Sequence, residues 1–456
     1  MRHLIALSLA IACLAGPAWA QDADSLRKEL SEMKRQLEQM RQQYERTIDT
    51  LERRLNEIER RPSPAAPTTA TPPLPSAPVA QTPAGTPSLR DLAQPRQPFS
   101  LYERRGGGQL LFDIGIAGDF VANFTSRNVD KADGGTFDGR ENRLFPREIE
   151  LALFGQVDPY ARAEVRIEAA EEAAGAETEV HLAEAHMTLL TLPWGTQAKF
   201  GLMRNRFGLA NQSHLHDLPW VDGPNVLKNF FGEEGLVEKG VELSIVPRLP
   251  IFLEGLVGFF NGDNEVAFGR GKITYPLVTG RLRTFFDIGD TQAIQLGVSG
   301  ARGSTVERLS NTVLGADLKY KWTPEGWRHP LLTLGGEALY GRRVVEDLDG
   351  DGIPDDKRTR WRFGWYTWAE VQPWRLVALG ARFDSSQYPV NPGREWAIEP
   401  YVTFKPSEFL RFRLAYKHTD RSHPFDAAGA GGSARNVNEI LLQGTFILGA
   451  HPPHQF

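Results

Sequence analysis

The sequence is poor in cysteine and has few long apolar runs. Its 456 residues include a single cysteine, Cys13, so no internal disulfide can form. After residue 20, no apolar run approaches the roughly 20 residues that a membrane-spanning helix requires, which excludes a helical membrane protein. The mean hydropathy of -0.36 remains compatible with a membrane β-barrel, because the strands of such a barrel are apolar on only one face.

The N-terminal segment, residues 1–20, has the pattern of a secretory signal peptide. A basic start precedes an apolar stretch, and Ala18 and Ala20 supply small residues at the positions that signal peptidase reads. Cleavage after Ala20 would remove Cys13, so the mature chain would have neither a thiolate metal ligand nor a cysteine nucleophile. The alternative is a lipid anchor on Cys13, which is disfavoured because Ala10 stands where leucine is preferred.

Two segments without globular character follow. In residues 21–61, apolar residues recur at spacings of three and four among charged residues and glutamines, which predicts a coiled coil. Its ten basic and ten acidic residues balance, which favours an oligomerisation stalk over a partner-binding helix. Residues 62–108 are predicted to form a linker, because 11 prolines lie between 62 and 98. A ligand for a proline-recognition domain is the alternative.

From residue 109 onward, apolar and polar residues alternate as they do in β-strands. In one segment Leu410, Phe412 and Leu414 share one face, while Arg411 and Arg413 share the other. Short, proline-bearing turns alternate with long polar connections, and counting between them gives sixteen strands. An even strand number with one tight end and one loop-rich end is typical of outer-membrane barrels. We therefore predict an all-β fold, in which a 16-stranded antiparallel transmembrane β-barrel over 109–456 follows a periplasmic α-helical coiled coil.

A soluble β-sandwich would also alternate apolar and polar residues. Three features favour the barrel: its strands are long, their polar face is charged, and aromatic residues gather near the strand ends, where membrane interfaces would lie. These aromatic residues are Tyr160, Trp194, Trp322, Tyr340, Trp374 and Trp396. The C-terminal Phe456 is also typical of barrels that the outer-membrane assembly machinery recognises.

The segment Lys199 to Leu209, KFGLMRNRFGL, resembles the turn into the third long loop of the phosphate-selective porin O and P family. The N-terminal signal peptide, coiled coil and linker resemble that family too. Residues 231–236 and 449–452 are similar to a subgroup labelled zinc-regulated outer-membrane protein. The resemblance implies a homotrimer of sixteen-stranded pores in the bacterial outer membrane, with the stalk in the periplasm. It also implies passive diffusion of small hydrophilic solutes, with anions such as phosphate as candidates.

The predicted register turns a set of basic side chains toward the lumen. These residues are Arg162, Arg166, Lys199, Arg281, Arg283, Lys319, Lys321, Arg360, Arg362, Arg382, Arg411, Arg413 and Lys417. Rings of such residues attract anions. However, acidic residues face the same way, and residues 99–456 contain 39 basic and 46 acidic residues. Overall charge therefore does not support phosphate selectivity, and structural ion pairs around a wet channel are an equally good interpretation.

The third long connection, 205–238, is too long for a simple turn and is predicted to fold into the lumen. The constriction is expected among residues in and beside this connection: Arg204, Arg206, His214, His216, Asp217, Lys228, Glu233 and Glu234. The alternative is a loop that only caps the barrel or contacts a neighbouring subunit.

The sequence contains two kinds of candidate metal site. Residues 346–356 resemble a calcium loop, with Asp347, Asp349, Asp351 and Asp355 as ligands, but Arg358 stands where a bidentate acid belongs, so binding would be weak. A simple acidic turn without a bound ion is the alternative. For zinc, His181 and His186 are separated by an odd number of residues, so they are expected to point to opposite faces of a strand. The pairs His214/His216 and His451/His454 could each share an ion, but two imidazoles make only half a tetrahedral site.

No nucleophilic triad, phosphate-binding glycine loop or nucleic-acid motif is present, so we expect neither an enzyme nor a nucleic-acid partner. A diffusion porin without a required cofactor, embedded in outer-membrane lipid, is the function predicted from the sequence. Two alternatives stay open: a barrel for zinc or another metal, and a structural envelope barrel with incidental permeability.

Overall fold

The computed structural model describes residues 112–126, 136–137, 140–171, 177–264, 266–346, 356–422 and 436–450. The predicted signal peptide, coiled coil and linker lie outside these residues. The four aspartates of the predicted calcium loop, the pair His451/His454 and Phe456 also lie outside them.

Sixteen antiparallel strands form one closed barrel. Each strand pairs with its neighbours in sequence, and β1 also pairs with β16, which closes the sheet on itself. The strands are β1 (Phe112–Thr125), β2 (Leu144–Asp158), β3 (Ala161–Ala170), β4 (Glu179–Leu192), β5 (Thr196–Arg204), β6 (Val237–Ile245), β7 (Phe252–Phe260), β8 (Leu277–Ile288), β9 (Gln292–Ser304), β10 (Ser310–Trp322), β11 (Leu332–Val345), β12 (Arg358–Trp374), β13 (Val377–Gln387), β14 (Arg394–Ser407), β15 (Leu410–Arg421) and β16 (Asn436–Gly449). The predicted strand number and closed antiparallel barrel are confirmed, with strand ends shifted by a few residues.

The alternation of side chains explains why these segments close into a barrel with an apolar exterior. On β15, Phe412 and Leu414 are 48% and 49% exposed, whereas Arg413 and Lys417 are each 2% exposed. The apolar side chains therefore face outward and the charged ones inward. An exterior of this kind is stable in contact with lipid, and it is the reverse of a water-soluble barrel.

Exposed aromatic residues lie at both ends of the barrel wall. Tyr160, Trp194 and Trp374 are exposed beside the short turns. Tyr340 and Trp361 stack on each other near the opposite end, with ring centroids 5.4 Å apart. Aromatic side chains with a polar edge are favoured at the boundary between lipid and water, so the two groups mark two interfacial belts.

The connections differ in length at the two ends. Short turns such as 159–160 and 375–376 join β2 to β3 and β12 to β13, while most connections at the other end are longer. The longest of these that the structure describes in full is residues 205–236, named L3 here. L3 contains two 3₁₀ turns, Ala210–Gln212 and Leu215–Asp217, and a short helix α1 (Asn225–Phe231). None of the described helices is both long enough and apolar enough to span a membrane.

L3 also carries much of the apolar core of the barrel interior. Phe207, Trp220, Val226, Phe230 and Phe231 are each at most 2% exposed and belong to one buried cluster with inward-facing wall residues. Burying large aromatic and aliphatic side chains in this way contributes about 1.5–3 kcal/mol each. L3 is therefore packed inside the barrel.

Candidate functional site: the lumen and loop L3

L3 enters the lumen through a tight turn at Gly208, packed against β11. Gly208 has φ of +61°, and a Cβ there would overlap the carboxylate of Glu337 on β11. The backbone nitrogens of Gly208 and Ala210 donate to Ser299 Oγ at 3.1 Å and to Glu337 Oε2 at 3.1 Å. The second Phe-Gly pair of the KFGLMRNRFGL segment, Phe207 and Gly208, thus turns the chain against β9 and β11, because glycine adopts left-handed φ without steric cost.

L3 next crosses to the opposite wall, where two histidines contact carboxylates. His214 Nε2 lies 2.8 Å from Glu184 Oε1 on β4, and His216 Nδ1 lies 2.9 Å from Glu148 Oε1 on β2. Both imidazoles are buried, and their rings stack with centroids 5.8 Å apart. The loop is therefore held against β2 and β4 by buried, charge-assisted contacts.

Burial alone would lower the pKa of His216, because it disfavours the charged imidazole. The carboxylates of Glu148 and Asp217 overcome this effect and raise the pKa of His216 to about 9. His216 is therefore a cation at neutral pH, paired with Glu148 on one side and with Asp217 on the other, where Nε2 lies 3.3 Å from Oδ1.

Beyond the histidines, Asp222 anchors L3 to the wall of β13 and β15. Its carboxylate accepts from Arg382 Nη2 at 2.9 Å and from Lys417 Nζ at 2.7 Å. Lys228, on α1, lies 3.4 Å from the same carboxylate. Burial alone would raise the pKa of Asp222, but Lys417, Arg382 and Lys228 lower it well below its ordinary value. The carboxylate is thus ionised at neutral pH, as a buried charge with three cationic neighbours must be.

Several arginines of the wall bind the main chain of L3 rather than its side chains. Arg413 donates to the carbonyl oxygens of Trp220 at 2.7 Å and Leu218 at 3.2 Å. Arg411 donates to the carbonyl of His216, and Arg147 to that of Val221. These contacts satisfy carbonyls that an irregular buried loop would otherwise leave unpaired.

The thirteen basic residues predicted to line the pore fall into distinct environments. Arg382, Arg411, Arg413 and Lys417 point inward, but L3 covers them. Arg281 is buried against Asp317 at 2.7 Å. Arg360 and Arg362 donate to carbonyls of the β13–β14 connection, and Lys321 is half-buried near the short-turn end. Arg162, Arg166, Lys199, Arg283 and Lys319 line an open cavity.

This cavity has a volume of about 620 Å³ and lies between L3 and the wall of β1–β10. Its lining includes seven basic and four acidic residues. Several of the basic residues are neutralised: Arg206 lies 2.6 Å from Glu242, and Arg166 lies 2.8 Å from Glu150. Arg162 and Lys199 form no ion pair with any residue in the described part of the chain. Most of the basic residues in the cavity wall are therefore paired with carboxylates, and Arg162 and Lys199 lie outside these ion pairs.

The residues predicted for the constriction are distributed around this cavity. Arg204, Arg206, His214 and Asp217 line it directly. His216 and Lys228 are not part of the cavity lining; His216 contacts Glu148, and Lys228 pairs with Glu233 at 2.8 Å. Glu234 accepts a hydrogen bond from Arg204 through its backbone oxygen at 2.8 Å.

No protein-family model matches the sequence. A protein of Aquifex aeolicus (strain VF5) that is described only as uncharacterized is 28% identical over 342 residues, covering 67% of this chain and 69% of that protein. The outer membrane channel DcaP of Acinetobacter baumannii aligns with a TM-score of 0.53 at 10% identity, over 77% of this chain and 100% of DcaP. The chain shares the barrel fold of DcaP. The anion-selective porin from Comamonas acidovorans aligns with a TM-score of 0.49 at 10% identity, over 74% of this chain and 99% of that porin.

The prediction that His181 and His186 point to opposite faces of their strand is wrong. A bulge in β4 opposite Arg166 and Ile167 shifts the register, so Glu168 pairs with His181 and Glu164 with His186. Both imidazoles consequently approach inward-facing carboxylates, at 3.6 Å and 3.9 Å. Counting residues assigns faces correctly only in a strand without a bulge.

Sequence reasoning also missed residues that position L3. Trp220 and Asp222 are among the most buried residues of the barrel interior, at 2% and 1% exposed, yet neither belongs to the constriction set expected from the sequence. Their surroundings, Trp220 to Asn225 with the sequence WVDGPN, combine turn-forming residues with one large aromatic. That composition is also common in exposed turns, so it does not by itself indicate that the segment is buried.

Proposed function

We propose that this protein is an outer-membrane porin that lets small hydrophilic solutes diffuse passively. The observation that supports this most directly is the charged cavity of about 620 Å³ between L3 and the wall of β1–β10. It lies inside a closed barrel whose exterior is apolar. A lumen lined by polar groups and narrowed by an inward loop is the arrangement that sieves solutes by size and charge.

A weak preference for anions accompanies this function. Arg162 and Lys199 contribute positive charge to the cavity, and the glutamates neutralise the arginines beside them. The barrel contains more acidic than basic residues, and most wall charges form ion pairs. Both features argue against strong anion selectivity. Phosphate is one candidate among small anions.

The protein is proposed to reside in the bacterial outer membrane as a homotrimer, with the N-terminal coiled coil in the periplasm. The exposed apolar wall and the two aromatic belts support the membrane location. Deleting residues 22–61 and measuring the subunit number tests whether the coiled coil or the barrel wall sets the oligomer. A trimer that persists after the deletion assigns assembly to the wall.

Planar-bilayer recording tests the porin function. We expect steady, open conductance and a reversal potential in a KCl gradient that indicates weak anion preference. A second function, a structural barrel closed by L3, is favoured by the aromatic cluster of Phe207, Trp220, Phe230 and Phe231, which fills part of the lumen. Folded protein that inserts without conducting would support this second function and contradict the first.

A further inference from the structure

A cluster of carboxylates and imidazoles lies where L3 meets the wall of β2 and β3. It comprises Glu148, Glu150, Glu168, His214 and His216, and is named the His–Glu cluster here. All five side chains are at most 6% exposed. Glu148, Glu168 and His214 each offer one ligand atom, and these three atoms lie within 4.8 Å of one another. The ligand atoms of a tetrahedral site with metal–ligand bonds of about 2.0–2.2 Å lie about 3.3–3.6 Å apart, so side-chain rotations that bring these three atoms about 1 Å closer would coordinate one ion.

The orientation of His214 points to a ligand between these groups. Its Nε2 faces Glu184 Oε1 at 2.8 Å, which assigns the Nε2 proton to that hydrogen bond. Its Nδ1 faces Glu150 Oε2 at 3.1 Å and Glu148 Oε1 at 3.8 Å. With the proton on Nε2, the Nδ1 lone pair points at carboxylate oxygens that can only accept hydrogen bonds. Only a cation, either a proton or a metal ion, stabilises such an arrangement.

Two buried atoms at this contact have no hydrogen-bond partner. They are His214 Nδ1 and Glu150 Oε2, which face each other. Buried polar atoms without partners are costly, and a cation bound by His214 Nδ1 next to Glu150 Oε2 would lower that cost for both atoms. The Glu184 carboxylate behind His214 completes a carboxylate–histidine–metal arrangement, in which an outer carboxylate orients the ring and strengthens its donor nitrogen.

We propose that the His–Glu cluster binds one divalent transition-metal ion such as Zn²⁺, ligated by His214 Nδ1, Glu148 and Glu168, with Glu150 adjacent. An imidazole ligand selects Zn²⁺ and its neighbours in the first transition row over Ca²⁺ and Mg²⁺, which take oxygen ligands. The ion would link β2 and β3 of the wall to L3. Because His214 also lines the cavity, the bound ion would add positive charge to the passage.

Metal binding is measured on the full mature protein folded in detergent, with Zn²⁺ or Co²⁺ as the only probe. We expect one ion per chain after dialysis, and for Co²⁺ the visible absorption of a low-coordinate site with a nitrogen ligand. His214→Gln and Glu148→Gln should each lower metal affinity by at least 100-fold. Glu184→Gln removes the outer carboxylate and should lower it roughly 10- to 100-fold.

His329→Gln is the matched control. This histidine lies in the β10–β11 connection and contacts the Gln372 backbone oxygen at 3.2 Å, far from L3 along the chain. Its variant should bind metal as the wild type does. Heat-modifiable migration in gel electrophoresis reports whether each variant has folded. The Co²⁺ spectrum of the wild type tests the proposal even if a variant fails to fold.

Folded wild-type protein that binds neither ion would overturn the proposal and assign the cluster to a proton-linked ion-pair network. Equal metal affinity in His214→Gln and His329→Gln would also overturn it, because the ion would then lie elsewhere, for example in the acidic loop of residues 346–356.

Discussion

Arg382 on β13 holds Asp222 of L3 by two bonds, one from Nη1 to the Asp222 backbone oxygen at 2.7 Å and one from Nη2 to its carboxylate at 2.9 Å. Arg382 is fully buried, and its guanidinium also lies over the ring of Trp220, 5.0 Å from the ring centroid. One wall residue therefore fixes the backbone, the charge and the aromatic side chain at the centre of the loop.

Removing the Asp222 charge should loosen L3. Asp222→Asn leaves Arg382 and Lys417 with one fewer counter-charge in a buried site, which costs about 3–5 kcal/mol. We expect higher and noisier single-channel conductance, together with a lower midpoint in thermal unfolding. Asp263→Asn is the control, because its pair with Lys239 is partly exposed and contributes at most about 1 kcal/mol. Unchanged conductance in folded Asp222→Asn would show that the contacts of Asp222 do not determine the width of the pore.

The same anchor predicts how the pore responds to acid. The pKa of Asp222 is lowered in the folded protein, so its stabilising contribution is fully present above the ordinary pKa near 3.9 and is lost only as the pH falls through the lower folded value. The charged groups facing the site are Arg382, Lys417, Lys228, Asp384, Glu399 and Glu233.

Conductance of the wild type should therefore show no Asp222-dependent change between about pH 7 and about pH 4. Recordings of wild type and Asp222→Asn over this range separate the contribution of this group from those of its neighbours. A conductance step between pH 6 and pH 5 that is present in the wild type and absent from Asp222→Asn would contradict the prediction.

Gly208 should tolerate no side chain. Gly208→Ala places a Cβ against Glu337 at a left-handed φ, which combines backbone strain of about 1–3 kcal/mol with a steric overlap. Gly289→Ala is a matched control, because Gly289 has a similar φ of +62° and no atom within 4 Å of the position that a Cβ would take. Unfolding by urea should show the larger loss in Gly208→Ala. Equal losses would mean that strain alone accounts for the effect.

The cavity charges should set ion preference. Arg162→Glu and Lys199→Glu each change the wall charge by two units, so we expect the anion-to-cation permeability ratio to fall roughly twofold to fivefold. Reversal potentials in a KCl gradient give this ratio directly. Arg375→Glu makes the same change on the exposed β12–β13 turn, outside the cavity lining, and should have a much smaller effect. A comparable shift in all three variants would assign the preference to the field of the whole barrel.

A charge placed on the outward face of β15 should destabilise the barrel more when it lies near the middle of the membrane than when it lies near the membrane surface. Leu414→Arg places a charge in the middle of the strand and should cost about 2–4 kcal/mol. Leu410→Arg lies at the short-turn end of the same strand and should cost about 1 kcal/mol or less. Unfolding measured in lipid vesicles compares the two. Equal small costs would mean that this face does not contact acyl chains.

The barrel itself could be predicted because its signal is repeated and local. Most strands, such as β15, show their two faces in their own sequence, although the stretch 260–292 is poorly patterned, and the lengths of the connections indicate which end of the barrel has the short turns. The wrong prediction for His181 and His186 has a local cause as well. A single extra residue in β4 reverses which side chains beyond it face inward, and nothing in the composition of that strand indicates the bulge.

The path of L3 could not be predicted in the same way. Asp222 meets Arg382 and Lys417, which are 160 and 195 residues away in sequence, and no local pattern specifies such partners. The sequence showed that inward arginines were numerous, but it did not show that Arg411 and Arg413 bind loop carbonyls. Whether a charged side chain faces water or a buried backbone depends on what fills the lumen.

Arg147, Arg411 and Arg413 donate to carbonyl oxygens of L3, so these contacts hold the loop through its main chain and persist when side chains elsewhere on the loop are changed. Substitutions at loop positions that face the open passage, such as Gln212 and Ser213, would then alter the bore and its chemistry without releasing the loop. One scaffold could in this way be retuned for different permeants by changing a handful of residues.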